Sequence, residues 1–158
     1  MLQRIQSVYL AVVALACPLL FFFPLAKYYN DLHGNYKFFI YGIRCMDPEP
    51  KIHFSTFFTS PLIFLAIASF IFAVVTIFSF RNRMRQIRLC AFNLITNIVL
   101  IMVVFFFYAT RIQSMTGIEP DYNFIGMGLP LLSIVMLILS NRAIRKDESL
   151  VKSADRLR

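Results

Sequence analysis

The stretch LCAFNLITNIVLIMVVFFFYAT, residues 89–110, decides the fold of this chain. It runs for 22 residues without an Asp, Glu, Lys or Arg and is bounded by Arg88 and Arg111. An α-helix rises about 1.5 Å per residue, so about 20 apolar residues cross a hydrocarbon core about 30 Å thick. Residues 89–110 therefore form one membrane span.

Three further windows free of charged residues lie outward from it, at 5–26, 52–80 and 122–141. Ser60-Pro61 matches a helix N-cap followed by proline at the first helical position, which starts the second span near residue 60. Mean hydropathy is +0.69 over 158 residues. The sequence reads as one all-α membrane domain, 1–158: a four-transmembrane-helix bundle with spans at about 5–26, 60–80, 89–110 and 122–141. Residues 27–59 form an outer loop carrying a small β-hairpin or short sheet. Residues 142–158 form a cytoplasmic C-terminal helix.

The charge sets the orientation. With the N-terminus inside, the inner segments carry Arg4; Arg81, Arg83, Arg85 and Arg88; and Arg142, Arg145, Lys146, Lys152, Arg156 and Arg158, against Asp147, Glu148 and Asp155. The outer segments carry five basic and five acidic residues, so the whole net charge of +8 lies on one side. Lys and Arg in short loops stay cytoplasmic, and both termini are expected there. This distribution explains the basicity without nucleic acid, which would require a soluble basic face with aromatics between the charges. The first window continues too far, to residue 26, for a cleaved signal peptide. Pro18-Leu19-Leu20-Phe21 after Cys17 is too apolar for a processed lipoprotein. The three cysteines have neither disulfide-pairing nor zinc-ligand spacing.

In the outer loop, Tyr28, Tyr29, Tyr36, Phe38, Phe39 and Tyr41 flank the turn-rich run Asn30–Asn35, which predicts a β-hairpin. Lys51–Phe54 is a candidate extra strand. The tyrosines also suit an interfacial belt, and the triplets at Phe21–Phe23 and Phe105–Phe107 read as lipid-facing or packing residues.

Small residues form two stripes at helical spacing: Ser7, Ala11, Ala14 and Pro18 on the first span, and Ala66, Ser69, Ala73 and Thr76 on the second. Small side chains let helices approach closely in lipid, so these faces meet each other or a partner protein. Asn93 and Asn97 share one face of the third span with Thr96 beside them. A buried amide costs several kcal/mol unless it is bonded, so these are candidate intramembrane polar contacts: interhelical glue, or alternatively a polar transport path. Pro18, Gly126 and Pro130 are candidate helix kinks. No Asp, Glu, Lys or Arg lies within a span, which argues against proton relays, ion pathways and catalysis. No catalytic residue, cofactor or metal site is expected.

On the tail, Ile144, Val151, Ala154 and Leu157 recur at near-helical spacing, and Glu148 with Lys152 makes a favourable pair one turn apart. Arg4, Arg142, Arg145, Lys146, Lys152 and Arg156 form a candidate cytoplasmic interaction face, in contact with anionic lipid headgroups or a protein partner. Arg4, Arg142 and Arg145 are expected to meet Asp147, Glu148 or Asp155 there.

The ends of the chain, Met1-Leu2-Gln3-Arg4-Ile5-Gln6-Ser7-Val8-Tyr9-Leu10, Asn141-Arg142-Ala143-Ile144-Arg145-Lys146-Asp147-Glu148 and Lys152-Ser153-Ala154-Asp155-Arg156-Leu157-Arg158, resemble the bacterial domain of unknown function 4293 family over the whole chain. That resemblance implies a Gram-negative inner membrane and brings no activity, substrate or catalytic residue. The expected function is that of a non-catalytic multi-pass inner-membrane protein, a structural or accessory subunit that joins itself or other membrane proteins in the lipid bilayer. The alternative is a small transporter or channel with a polar path along the third span.

Overall fold

A computed structural model describes residues 2–29, 35–46, 54–80 and 82–156, leaving aside the side chains of 2–4, 56 and 150–156. Among the described residues there are five α-helices and four short strands: α1 (Leu2–Leu19), β1 (Ala26–Tyr28), β2 (Tyr36–Phe39), β3 (Gly42–Cys45), α2 (Ser60–Phe78), α3 (Arg83–Met102), α4 (Thr110–Thr116), β4 (Asp121–Tyr122) and α5 (Phe124–Arg156). A 3-10 turn, Thr56–Thr59, leads into α2, and a π-helical stretch, Val103–Ala109, joins α3 to α4. The helix α1 packs on α2 and α5, and α3 packs on the same two, which closes a ring of four.

Among the described residues, three helical runs are long and apolar enough to cross a membrane: Phe57–Phe78, Arg83–Thr116 and Phe124–Ser149. The helix at the first charge-free window is shorter than that window. The apolar helix is Ile5–Leu19, and residue 26 already belongs to a strand. After Pro18 the backbone tightens, with Phe21 N–H donating to the Pro18 carbonyl and Phe22 N–H to that of Leu19. Pro24 then favours an extended chain before it. Pro18 thus sits in the last turn of α1, where it accompanies the stop instead of bending a span at its middle.

The helical run at the window 89–110 is longer than expected. Asn82 caps it, its side-chain oxygen accepting from Arg85 N–H at 3.1 Å, and Gly117 closes it in the left-handed conformation at φ 68°. The widened π-helical turn brings Val104, Tyr108 and Ala109 inward while Phe105, Phe106 and Phe107 point out. In the second span the cap lies at Thr59, not Ser60. The Ser60 hydroxyl donates to the Phe57 carbonyl at 2.8 Å and so belongs to the preceding turn.

The sheet has the order β3-β2-β1-β4, antiparallel throughout. The expected hairpin is β1 with β2, where Ala26 pairs with Phe38 and Tyr28 with Tyr36; residues 30–34 of its turn lie outside the described residues. Of the candidate strand 51–54, residues 51–53 also lie outside them. Phe54 is not in a strand, and its ring meets Tyr36 and Phe58. The third strand is Gly42–Cys45, reached through a two-residue turn at Ile40-Tyr41, and the fourth comes from the connection before α5.

Alternation along the strands points Ala26, Tyr28, Tyr36 and Phe38 at the bundle, where they join Leu20, Leu62, Leu100, Val104, Tyr108 and Met127 in one apolar cluster. Leu10, Val13, Ala73, Cys90, Leu137 and Ile144 form a second cluster toward the other end of the bundle.

Candidate functional site

Between these clusters lies the buried polar centre of the bundle. Ser69 on α2 donates to the side-chain oxygen of Asn93 at 2.7 Å and accepts from the Asn97 amide at 2.8 Å. The Asn97 amide also reaches the Asn93 side-chain oxygen at 3.0 Å and its carbonyl at 2.9 Å. From α1 the Cys17 thiol points to the Ser69 hydroxyl at 3.5 Å. One hydroxyl therefore ties three helices together. Asn93, Asn97 and Ser69 are each at most 1% exposed, and one amide nitrogen, Nδ2 of Asn93, has no partner.

Asn93 and Asn97 reach this centre because they are four residues apart on α3, one above the other on the same face. Ser69 arrives from the stripe Ala66, Ser69, Ala73 and Thr76, all of it buried. Thr96 is not part of the cluster: its hydroxyl bonds back to the Phe92 carbonyl at 2.9 Å, one turn down its own helix. Ser69 and Cys17 are the members missed as polar contacts, although Ser69 stood within a stripe read for its size. The stripe on α1 behaves differently. Ser7, Ala11 and Pro18 are exposed, and α1 buries Gln6, Leu10, Val13, Ala16 and Cys17 instead.

A second polar layer lies toward the other end of the bundle. The Gln86 amide donates to the Thr76 carbonyl at 3.3 Å, and Gln6 and Ser140 are buried with Gln6 Nε2 and Ser140 Oγ unbonded. At the sheet end, the Tyr108 hydroxyl donates to the Phe58 carbonyl at 2.6 Å. Burial holds the Tyr28 phenol, and to a lesser degree that of Tyr122, above its ordinary pKa, the neighbouring Tyr122 adding to the shift at Tyr28. The Tyr28 oxygen has no bonding partner.

Gly126 is a packing residue. A Cβ there would overlap the Pro24 carbonyl oxygen and come within 2.8 Å of the Pro24 carbonyl carbon. Asn123 caps α5 just before it, its side-chain oxygen accepting from Ile125 N–H at 2.9 Å and Gly126 N–H at 3.3 Å. Pro130 lies inside α5, which continues as helix past it.

The basic face is organised around a different arginine from those expected. Arg83 at the start of α3 pairs with Asp147 on α5 at 2.9 Å and also donates to the Asp147 carbonyl at 2.9 Å. Arg142, Arg145 and Lys146 are exposed, and Arg145 reaches the Asn141 side chain at 3.2 Å. The side chains of Arg4, Lys152, Asp155 and Arg156 lie outside the described residues, so the expected Glu148–Lys152 pair does too. A crevice of about 170 Å³ lies between α1 and α2, lined by Cys17, Pro18, Phe21, Ala66, Ile67 and Phe70. Among the described residues no cluster of His, Cys, Asp or Glu could hold a metal ion.

The fold and its centre define a class: a small helical bundle with apolar helices of membrane-crossing length, capped by a short antiparallel sheet and pinned by a buried Ser–Asn cluster. The chain belongs to the domain of unknown function 4293 family, whose profile matches residues 2–157. No curated protein and no solved structure matches the chain.

Proposed function

We propose that this protein is a non-catalytic, multi-pass protein of a bacterial inner membrane, a structural or accessory subunit that assembles with itself or with another membrane protein. The observation that carries this reading is the bonding of Asn93 and Asn97 to Ser69. Amides that are buried and bonded across helices fasten them together. A second support is the turning outward of Ser7, Ala11 and Pro18 on α1, where another helix could approach closely.

All four helices of the ring are taken to span. Ile5–Leu19 covers only about 22 Å. Yet α1 contributes Leu10 and Val13 to one cluster and Leu20, just past its end, to the other, so it reaches both apolar clusters of the bundle. The arginines of 81–88 and the basic tail favour cytoplasmic termini, with the tail against anionic headgroups. A reporter active only outside should be silent after Arg85 or Arg158 and active near His33 or Met115; activity at Arg85 would reverse the orientation. Purification in mild detergent should recover an assembly larger than one 18.3 kDa chain. Monomers alone, with nothing captured after cross-linking in cells, would defeat the assembly reading.

The second reading is a small transporter or channel with its path along the third span. The unbonded Asn93 amide nitrogen and the recurrence of Gln86, Asn93 and Asn97 on the buried face of α3 favour it. It requires that a water-soluble thiol reagent reach Cys90 in the intact membrane. Cys90 inert until the protein is unfolded would remove it.

A further inference from the structure

The outward face of the sheet carries an arrangement that folding alone disfavours. Arg44 is in register with Lys37, Lys37 with Lys27, and Lys27 with Asp121. The alternate residues Ala26, Tyr28, Tyr36 and Phe38 are buried against the bundle, so this row faces away from it. Strands lie about 4.8 Å apart, so the three cations occupy a line about 10 Å long. Like charges directly opposite one another destabilise a sheet, and here that happens twice in succession. Among the described residues none of the three has an ion-pair partner; the pair found is Arg83–Asp147, on other elements. Arg44 is also restrained. Its guanidinium carbon lies 5.2 Å from the Tyr41 ring centroid and 5.8 Å from that of Phe39, and the two rings stack at 5.2 Å.

We propose that this row is a binding site for phosphate groups, centred on Lys37 between Lys27 and Arg44. Two lysines supply point charges and a guanidinium held by aromatic rings supplies a planar fork, the combination that suits phosphate oxygens. The length of the row fits two linked phosphates better than one. Asp121, at the Lys27 end, repels an anion and biases it toward Arg44. The phosphate can come from a lipid headgroup or from solution.

The test uses the full chain in nanodiscs of zwitterionic phosphatidylcholine, read by its thermal unfolding midpoint. Pyrophosphate is added in one arm; phosphatidylglycerol replaces part of the lipid in the other. A rise in the first arm identifies a soluble phosphate and in the second a lipid, and either supports the site if Lys37→Gln weakens the response at least about tenfold in ligand concentration. Without ligand, Lys37→Gln should unfold no earlier than wild type, because it relieves the like-charge row. Arg111→Gln, which removes an exposed charge from α4, should respond as wild type does. No response in either arm, an unchanged response in Lys37→Gln, or an equal loss in Arg111→Gln would overturn the proposal. Should Lys37→Gln fail to fold, Arg44→Gln gives the same readings.

Discussion

Replacing Ser69 by alanine tests the polar centre directly. The hydroxyl donates to Asn93 at 2.7 Å and accepts from Asn97 at 2.8 Å, and both bonds cross from α2 to α3. Hydrogen bonds between helices in a membrane are each worth about 0.6 kcal/mol on average and up to about 1.7. Losing two should cost about 1–3 kcal/mol, with the longer thiol contact from Cys17 adding little. Asn97→Ala removes one crossing bond, since its other two partners are on α3, and should cost less than Ser69→Ala apart from any cavity it leaves. The pair should couple in a double-mutant cycle by at least about 0.5 kcal/mol, as residues in one network do. The assay is reversible unfolding in mixed micelles, with Thr96→Ala as the control because that hydroxyl bonds only within its own helix. A Ser69→Ala protein as stable as wild type, or a Thr96→Ala protein that loses as much, would falsify the account of the centre as a helix fastener.

Gly126→Ala places a methyl on the Pro24 backbone and should cost at least about 1–3 kcal/mol, as overpacking does, whereas Gly128→Ala meets nothing within 4 Å and should be neutral or stabilising; paired thermal melts decide. Tyr28→Phe removes a buried hydroxyl that has no bonding partner and should leave stability unchanged or higher at neutral pH. Because folding raises the Tyr28 pKa, only the unfolded chain ionises above about pH 10. Stability should therefore be flat with respect to this group below that pH and fall above it by at most about 1.4 kcal/mol per pH unit, a slope that Tyr28→Phe should reduce in alkaline unfolding titrations. Asp147→Asn breaks the pair with Arg83, which is partly exposed, and should cost about 0.2–1 kcal/mol, less at high salt.

The helices could be read directly because each required a long charge-free window, and the hairpin because aromatic runs flanked a turn-rich stretch. What could not be read followed from contacts distant in sequence. The short α1 reflects the proline-bounded turn after Leu19. The turn at Ile40-Tyr41 carries no glycine or asparagine; Ile40 is wholly buried, and no non-glycine residue among those described has a positive φ. The strand at Asp121 exists because β1 offers it an edge. In the polar centre, the spacing of Asn93 and Asn97 named one wall, but Ser69 was indistinguishable from the alanines around it. Arg83 lay among four arginines at 81–88 with nothing to single it out as the partner of Asp147.

The pairing of β1 with β4 has a consequence for the order of assembly. Residues 26 and 27 follow the first helix, whereas Asp121 and Tyr122 immediately precede the last, and Asn123 N–H donates to the Leu25 carbonyl at 3.0 Å. Until the ribosome has delivered this late segment, β1 keeps one unpaired edge, an open template for another chain. Gly126 then seats the start of α5 beneath Pro24. The strand just before α5 thus shuts the edge that follows α1, and a chain interrupted before Asp121 would present that edge to quality-control proteases.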